Sequence, residues 1–209
     1  MNGVFITFEG AEGSGKSTQI ALAEDYLKGQ DRDVLLIREP GGVRISEAIR
    51  EMLLDVRYTE MTKECEVLLY MAARAQLVEE VILPALRQGK VVLCDRFLDS
   101  TLVYQGYGHE MGLDPIRRIG EFATQGLVPD VTVLFDIETE KGLRRAGGNK
   151  DRIEQRSLEY HNRVRQGYLK LAEEDPQRVR VIRVDRGKEE IFAQVKAVLD
   201  RQLGQAHAE

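Results

Sequence analysis

The sequence predicts an α/β fold: a five-stranded parallel sheet with helices on both faces, in one domain over residues 1–209. Short apolar runs, typical of buried strands, alternate along the chain with longer segments whose apolar residues recur at helical spacing. This alternation favours a parallel sheet whose ligands bind at the carboxyl ends of the strands. With 209 residues, 43% of them hydrophobic, the chain is long enough for one sizeable core.

Five segments rich in apolar and β-branched residues are predicted as strands: residues 4–9, 34–37, 91–94, 131–135 and 179–184. Helical periodicity predicts six helices, at residues 16–29, 45–54, 60–86, 113–125, 139–145 and 153–174. A C-terminal helix is predicted around Ile191, Val195, Val198 and Leu199. Pro84 is expected to bend the long helix or to start its last turn.

Two helices have a predicted inner face. On the second helix this face contains Ile45, Ala48, Ile49, Met52 and Leu53, and on the helix at 153–174 it contains Leu158, Val164, Tyr168 and Leu171. Gly147 and Gly148 break the helical pattern between these regions, and a short lid is predicted at about residues 144–154.

Composition narrows the class of protein. The formal net charge of -5 argues against a groove for polymeric nucleic acid, although a few inward arginines would suffice for a small nucleotide. No apolar run approaches the roughly 20 residues that span a bilayer, so we expect a soluble, cytoplasmic protein. Cys65 and Cys94 lie far apart and lack metal-ligand spacing, so both are predicted to be buried free thiols.

The segment between the first strand and the first helix fits the phosphate-binding pattern GxxxxGK[ST]. Glycines allow backbone N–H groups to converge on an anion, and the start of the helix adds partial positive charge. A glycine-rich turn that only connects two elements would need neither Lys16 nor Ser17. The predicted triphosphate-binding residues are Gly10, Ala11, Glu12, Gly13, Ser14, Gly15, Lys16, Ser17 and Thr18.

A magnesium ion is predicted as the cofactor beside this loop. The Ser17 hydroxyl is expected to meet Mg²⁺, and Asp95, which ends a buried strand, is a candidate second ligand that could instead cap a helix. Asp136 ends another strand, and we interpret it as a helix cap. Lys16 is predicted to reach the β- and γ-phosphates of ATP.

A GTPase is the first alternative, because residues 148–151 resemble the guanine-reading NKxD motif. Arg152 stands where the final Asp belongs, no strand precedes the segment and no DxxG follows the strand that ends at Asp95. A small-molecule kinase fits better, and it needs cations for the acceptor phosphate and for the transferred group. Arg38 and Arg96 are candidates for the first position, and Arg144, Arg145, Arg152 and Arg156 for the second.

Five blocks of sequence resemble one family, thymidylate kinase in its bacterial form, which belongs to the P-loop nucleoside monophosphate kinases. The blocks are residues 8–10, 38–42 (REPGG), 70–76 (YMAARAQ), 95–106 (DRFLDS through YQG) and 151–154 (DRIE). The resemblance implies the P-loop NTP hydrolase/kinase fold and reversible phosphoryl transfer from MgATP to dTMP, giving dTDP and ADP for dTTP synthesis. It also implies a homodimer joined through helices.

Position by position, the resemblance implies a dTMP pocket. Glu12 is similar to the family's carboxylate for the sugar 3′-hydroxyl, Tyr70 to the residue that stacks on thymine, and Arg74 to the donor for thymine O4. Thr101 and Gln105 resemble partners of the N3 edge, and Tyr104 resembles the residue that disfavours a ribose 2′-hydroxyl. Arg96 and Arg38 resemble the phosphate clamp. Further lining candidates are Arg50 and Glu39.

The sequence departs from the family pattern at three places: Val43, where a Thr is common, Phe97, where a Tyr is common, and a short lid. Because Gly13 stands where some members have an arginine, the resemblance implies that Arg145 or Arg152 contacts the transferred group. The alternatives are a kinase for another nucleoside monophosphate or a deoxynucleoside, and a non-enzymatic P-loop regulatory module.

Overall fold

The computed structural model describes residues 3–147 and 151–205. Its centre is a five-stranded sheet, all of whose neighbouring strands are parallel, in the order β2-β3-β1-β4-β5. The strands are β1 (Val4–Gly10), β2 (Val34–Arg38), β3 (Val91–Asp95), β4 (Val131–Asp136) and β5 (Val179–Arg183). The predicted α/β fold is therefore confirmed.

The sheet register brings charged residues to one edge. Asp95 lies beside Phe8 on one side and Arg38 on the other, while Asp136 pairs with Arg183. All five strands run in the same direction, so their carboxyl ends meet where the glycine-rich loop leaves β1. This edge carries the candidate site.

Helices cover both faces of the sheet. They are α1 (Lys16–Lys28), α2 (Arg44–Leu54), α3 (Lys63–Leu77), α4 (Leu83–Arg87), α5 (Leu98–Thr101), α6 (Leu113–Thr124), α7 (Thr139–Ala146), α8 (Leu158–Glu174) and α9 (Lys188–Gln205). On one face α1 and α9 pack against β1 and β4 through Ile20, Leu27, Val195 and Leu199. On the other face, α3 and α4 pack against Phe5 and Val92, and α8 packs near Leu134.

Two predicted helices need correction. The segment predicted as one helix at 60–86 is divided by a π-helical segment, Val78–Ile82. Pro84 lies in the first turn of the short helix Leu83–Arg87 that follows it, a position that tolerates proline. The helix predicted at 153–174 begins instead at Leu158, because Asp151 Oδ1 accepts the backbone N–H groups of Ile153 and Glu154 in a local turn. Ser157 then caps α8.

The sequence reading missed the helical structure that follows Phe97. Helix α5 continues into a second π-helical segment, Leu102–Gly108. An extra residue per turn changes the direction of the side chains, and such segments often occur at functional sites. Here the segment carries Tyr104 and Gln105 to the cleft described below.

Several burial predictions were wrong in part. On α2 only Ile49 and Leu53 of the predicted inner face are buried, whereas Ile45 and Met52 are 48% and 39% exposed. On α8, Leu158 is 40% exposed. Cys94 is buried as expected, but Cys65 is exposed.

Asp136 is not a helix cap, because its carboxylate pairs with Arg165 Nε at 2.7 Å. Residues 148–150, which belong to the predicted lid and to the NKxD-like segment, lie outside the described residues. Among the helices that the structure describes, none is both long and apolar enough to cross a membrane.

Candidate active site

A cleft of about 510 Å³ opens at the carboxyl edge of the sheet. Its volume lies within the range of about 300–1,000 Å³ typical of small-molecule sites. The glycine-rich loop forms one end, with Ala11 to Thr18 all lining it. Side chains from α2, α3 and the segment after β3 form the other end: Arg50, Tyr70, Arg74, Arg96, Thr101, Tyr104 and Gln105.

The shape of the loop depends on its glycines. Gly13 and Gly15 have φ values of 68° and 80°, in the left-handed region that costs glycine little. A Cβ on Gly13 would also collide with the carbonyl group of Gly142, because α7 packs directly on the loop. The backbone therefore excludes a side chain at position 13, where part of the family has arginine.

Lys16 is held at the floor of the cleft by an ion pair with Asp95. Burial lowers the pKa of Lys16, and the charge of Arg96 adds to this, while Asp95 acts in the opposite direction. The lysine therefore occupies a site where an additional anion, such as a triphosphate, compensates for the loss of water around the ammonium group.

Glu12 points back from the loop toward the end of the cleft that α2, α3 and the segment after β3 line. Its Oε1 accepts hydrogen bonds from the Tyr104 hydroxyl at 2.7 Å and from Arg96 Nη2 at 3.3 Å. Its Oε2 lies 3.5 Å from His161 Nδ1 and has no hydrogen bond within the described chain. Burial opposes its ionisation, but the nearby imidazole, Arg96 and Tyr104 together lower the pKa of Glu12 to about 2.

Arg96 sits on a strained backbone, with a φ of 70° that is unusual for a residue with a side chain. The turn is stabilised by Glu9, whose Oε1 accepts the Phe97 N–H at 2.7 Å and whose Oε2 accepts the Ser100 and Tyr168 hydroxyls. Arg96 lies 4.9 Å from the centre of the Tyr104 ring and enters the cleft. This role of Glu9 was not predicted from the sequence.

Arg74 is buried, with 2% of its surface exposed, and holds several parts of the end of the cleft opposite the loop together. Its guanidinium pairs with the buried Glu39 at 2.6 Å and donates to the Phe97 carbonyl and the Thr101 hydroxyl at 3.0 Å each. Burial raises the pKa of Glu39, and the positive charge of Arg74 counteracts this. Tyr70, one helical turn earlier, also lines the cleft, so the i, i+4 pair faces the same space.

Glu66 is a second buried carboxylate that the sequence reading missed. It is 0% exposed and contacts Gln105, His109, Arg152 and Arg156. Glu66 lies in the first turn of α3, where an acidic residue is ordinarily explained by the helix dipole. Its position in the sequence therefore did not indicate a role in the site.

Some predicted residues lie outside the cleft lining. Arg38 is bound to Glu47 and to the Pro40 carbonyl, and Arg152 is bound to Glu66 and to the Leu53 carbonyl. Gly10, Asp95 and Arg145 likewise do not line the cleft. Further lining residues without a predicted role are Pro40, Leu54, Phe97, Ser100, Ala146, Asp151, Ile153 and Glu154.

The family model described as Thymidylate kinase matches residues 8–195, which include every part of this cleft. The chain belongs to the thymidylate kinase family. It is 47% identical over 206 residues to the thymidylate kinase of Geobacillus sp. (strain WCH70), covering 96% of this chain and 98% of that one. It is 48% identical over 200 residues to the thymidylate kinase of Caldanaerobacter subterraneus, covering 95% and 94%.

A solved structure supports the same family. The crystal structure of thymidylate kinase from Ehrlichia chaffeensis superimposes with a TM-score of 0.78 at 32% identity, covering 94% of this chain and 98% of that chain. The resemblance to thymidylate kinase drawn from five short blocks is thereby confirmed along nearly the whole chain.

Proposed function

We propose that this protein transfers the γ-phosphoryl group of ATP to dTMP, giving dTDP and ADP. One observation carries the proposal: a single cleft contains both a triphosphate-binding loop and a pocket with an aromatic face and fixed hydrogen-bonding groups. Phosphoryl transfer requires mainly alignment of two substrates and cations near the developing charge. Membership of the thymidylate kinase family supports dTMP as the acceptor.

On the donor side, the backbone of the loop and Lys16 bind the ATP phosphates. We assign Mg²⁺ to Ser17 and Asp95, because magnesium beside a triphosphate needs only one or two protein ligands. Ser17 lines the cleft, and Asp95 does not line it but pairs with Lys16, which does. Both side chains offer oxygen atoms, the type of ligand that Mg²⁺ prefers. Among the described residues, no group of three or more acidic, His or Cys side chains offers another metal site. When bound, the ion would offset negative charge on the phosphates.

On the acceptor side, Tyr70 stacks on the base and Arg74 donates to O4. The Arg74 Nη1 atom contacts the Met71 sulfur at 3.3 Å, a weak acceptor, so this nitrogen remains available to a stronger one. Thr101 and Gln105 contact the N3 edge. Glu12 binds the 3′-hydroxyl through its unpaired oxygen. Tyr104 excludes a 2′-hydroxyl, and Glu39 and Arg50 also line the pocket.

Arg96 is our choice for the phosphate of dTMP, because it is the predicted clamp residue that enters the cleft. Arg38 is bound to Glu47 outside it, so its part in the clamp requires a change of partner. For the transferred group, Arg145 is favoured over Arg152. Arg145 is exposed and has no ion pair within the described chain, whereas Arg152 is committed to Glu66.

A homodimer remains part of the proposal. Three large apolar side chains on the neighbouring helices α2 and α3 are exposed, namely Ile45, Met52 and Leu68 at 48%, 39% and 54%. Burying them against a second copy would remove them from water. Light scattering at micromolar concentration should give the mass of two chains, and a mass of one chain would contradict this part. The cytoplasmic location stays a prediction.

The test of the function is ADP release in a coupled assay with dTMP, dUMP, AMP, CMP, GMP and thymidine as acceptors. We expect kcat/KM to be highest for dTMP. A higher value for another monophosphate or for thymidine would replace the substrate assignment. Tight ATP binding without acceptor-dependent turnover would instead identify a regulatory nucleotide-binding protein.

A further inference from the structure

The buried carboxylate of Glu66 divides its two oxygens between two parts of the site. Oε1 accepts from Gln105 Nε2 at 2.8 Å and from His109 Nε2 at 3.1 Å. Oε2 pairs with Arg152 at 2.6 Å and with Arg156 at 3.5 Å. Glu66 itself does not line the cleft, whereas Gln105 does. The carboxylate can therefore affect a substrate only through its partners.

The bond to Glu66 decides which way the Gln105 amide faces. An ionised carboxylate only accepts hydrogen bonds, so the amide must present its NH₂ group to Glu66. Burial opposes the charge on Glu66, but the bonds from His109 and Gln105 and the charge of Arg152 outweigh it and lower the pKa of Glu66 to about 2. The carbonyl oxygen of the planar amide then remains without a partner in the described chain, on a residue that lines the cleft.

We propose that Glu66 is a positioning residue for base selection, which holds Gln105 so that an acceptor oxygen faces the base. A pocket with this acceptor binds a pyrimidine that carries N–H at N3, such as thymine or uracil. It disfavours cytosine, whose N3 is itself an acceptor and would face the Gln105 oxygen without a proton between them. The inference rests on the proposed function, since it concerns the base of the same acceptor.

Gln105 is held in one orientation only if the carboxylate of Glu66 is itself fixed, and Arg152 fixes it. Its Nε donates to the Leu53 carbonyl at 2.9 Å while its Nη1 holds Glu66 Oε2. A freely rotating carboxylate would leave the amide of Gln105 able to turn over, because the two amide orientations have the same shape. The ion pair thus gives a buried arginine near the cleft a function other than contact with phosphate.

The experiment compares kcat/KM for dTMP and dCMP in the wild type and in Glu66→Gln. The uncharged amide at position 66 can donate as well as accept, so Gln105 can reverse and present NH₂ to the base. The reversed amide would leave a polar group of the base without a partner, which weakens binding. We expect the ratio of dTMP to dCMP kcat/KM to fall roughly ten- to hundredfold, mainly through KM for dTMP.

A merely structural role would lower both values of kcat/KM and leave their ratio unchanged. Asp99→Asn is the matched control, because Asp99 is a buried carboxylate paired with Arg178 at 2.6 Å and does not line the cleft. Its ratio should equal that of the wild type. In a Gln105→Ala background, Glu66→Gln should no longer change the ratio, because there is no amide to orient.

An unchanged ratio of kcat/KM in folded Glu66→Gln would overturn the inference. So would a fall in the ratio that is equally large when Glu66→Gln is made in the Gln105→Ala background. If Glu66→Gln does not fold, Glu66→Asp preserves the charge for Arg152 and withdraws the carboxylate from Gln105, and it should also lower the ratio. A wild type that prefers a different acceptor altogether would refute the proposed function instead, so the two failures are distinguishable.

Discussion

The two ends of the cleft are built in different ways. At the donor end, the loop from Gly10 to Thr18 is one continuous stretch whose backbone conformation and single lysine form the phosphate site. At the acceptor end, the groups come from α2, α3 and the segments after β2 and β3, and buried charges hold them in place. The first is local in sequence, and the second exists only in the folded molecule.

This difference has an energetic consequence. The donor loop relies on glycine conformations and on a helix N-terminus, so it needs few buried charges of its own. The acceptor end buries Glu9, Glu39, Glu66 and Arg74, each of which is costly unless its partners stay in place. Substitutions at the donor end should therefore affect turnover more than stability, and those at the acceptor end should affect both.

Arg74→Ala is expected to have the largest effect. Removing the guanidinium leaves Glu39 buried without its counter-ion, which typically costs about 3–5 kcal/mol. Urea unfolding should report this loss in the free energy of unfolding, and kcat/KM for dTMP should fall as well. The companion double variant Arg74→Met with Glu39→Gln should recover much of the stability but not the activity, since the proposed donor to thymine O4 is missing.

The control for this prediction is Arg117→Ala. Arg117 pairs with Glu174 on the surface, with both side chains nearly half exposed, so its loss should cost about 1 kcal/mol or less. If Arg74→Ala were no more destabilising than Arg117→Ala, the buried pair would not be what organises the acceptor end.

Lys16→Ala tests the donor end. Loss of one positive group aimed at developing charge typically lowers kcat by about 100- to 1,000-fold. We expect KM for dTMP to change by less than about threefold, because a group that acts on the transferred phosphoryl affects kcat rather than acceptor binding. Lys28→Ala, on the same helix but paired with Glu24 at the surface, should leave both constants unchanged. A rise in KM for dTMP as large as the fall in kcat would remove the distinction between the two ends.

The sequence predicted well what depends on neighbouring residues. All five strands, the glycine loop and the pairing of Tyr70 with Arg74 on one helical face follow from short-range spacing. It did not predict Glu9 or Glu66 as organisers, because a carboxylate near a strand end or in a first helical turn has an ordinary local explanation. The start of α8 was misplaced for a similar reason, since the Asp151 turn competes with a periodic pattern that continues through it.

A pH-dependent effect is expected at Glu9, which supports the turn at Arg96. Burial and the charge of Asp99 raise the pKa of Glu9 from 4.5 to about 7, against the opposing effects of Arg96 and two hydroxyl groups. In the unfolded chain the carboxyl ionises near 4.5, so between pH 4.5 and 7 the folded state binds the extra proton. The stability that Glu9 contributes is therefore complete below pH 4.5 and is lost as the pH rises through 7.

Glu9→Gln should remove this dependence, because the amide does not titrate and can still accept the Phe97 N–H. Relative to the variant, the wild type should lose about 3 kcal/mol of unfolding free energy as the pH rises from 4.5 to above 7. Denaturant unfolding at a series of pH values measures it. Glu189→Gln, at an exposed residue in the first turn of α9, is the control for loss of one carboxylate. Parallel profiles for wild type and Glu9→Gln would mean that the turn at Arg96 tolerates an ionised Glu9 without cost.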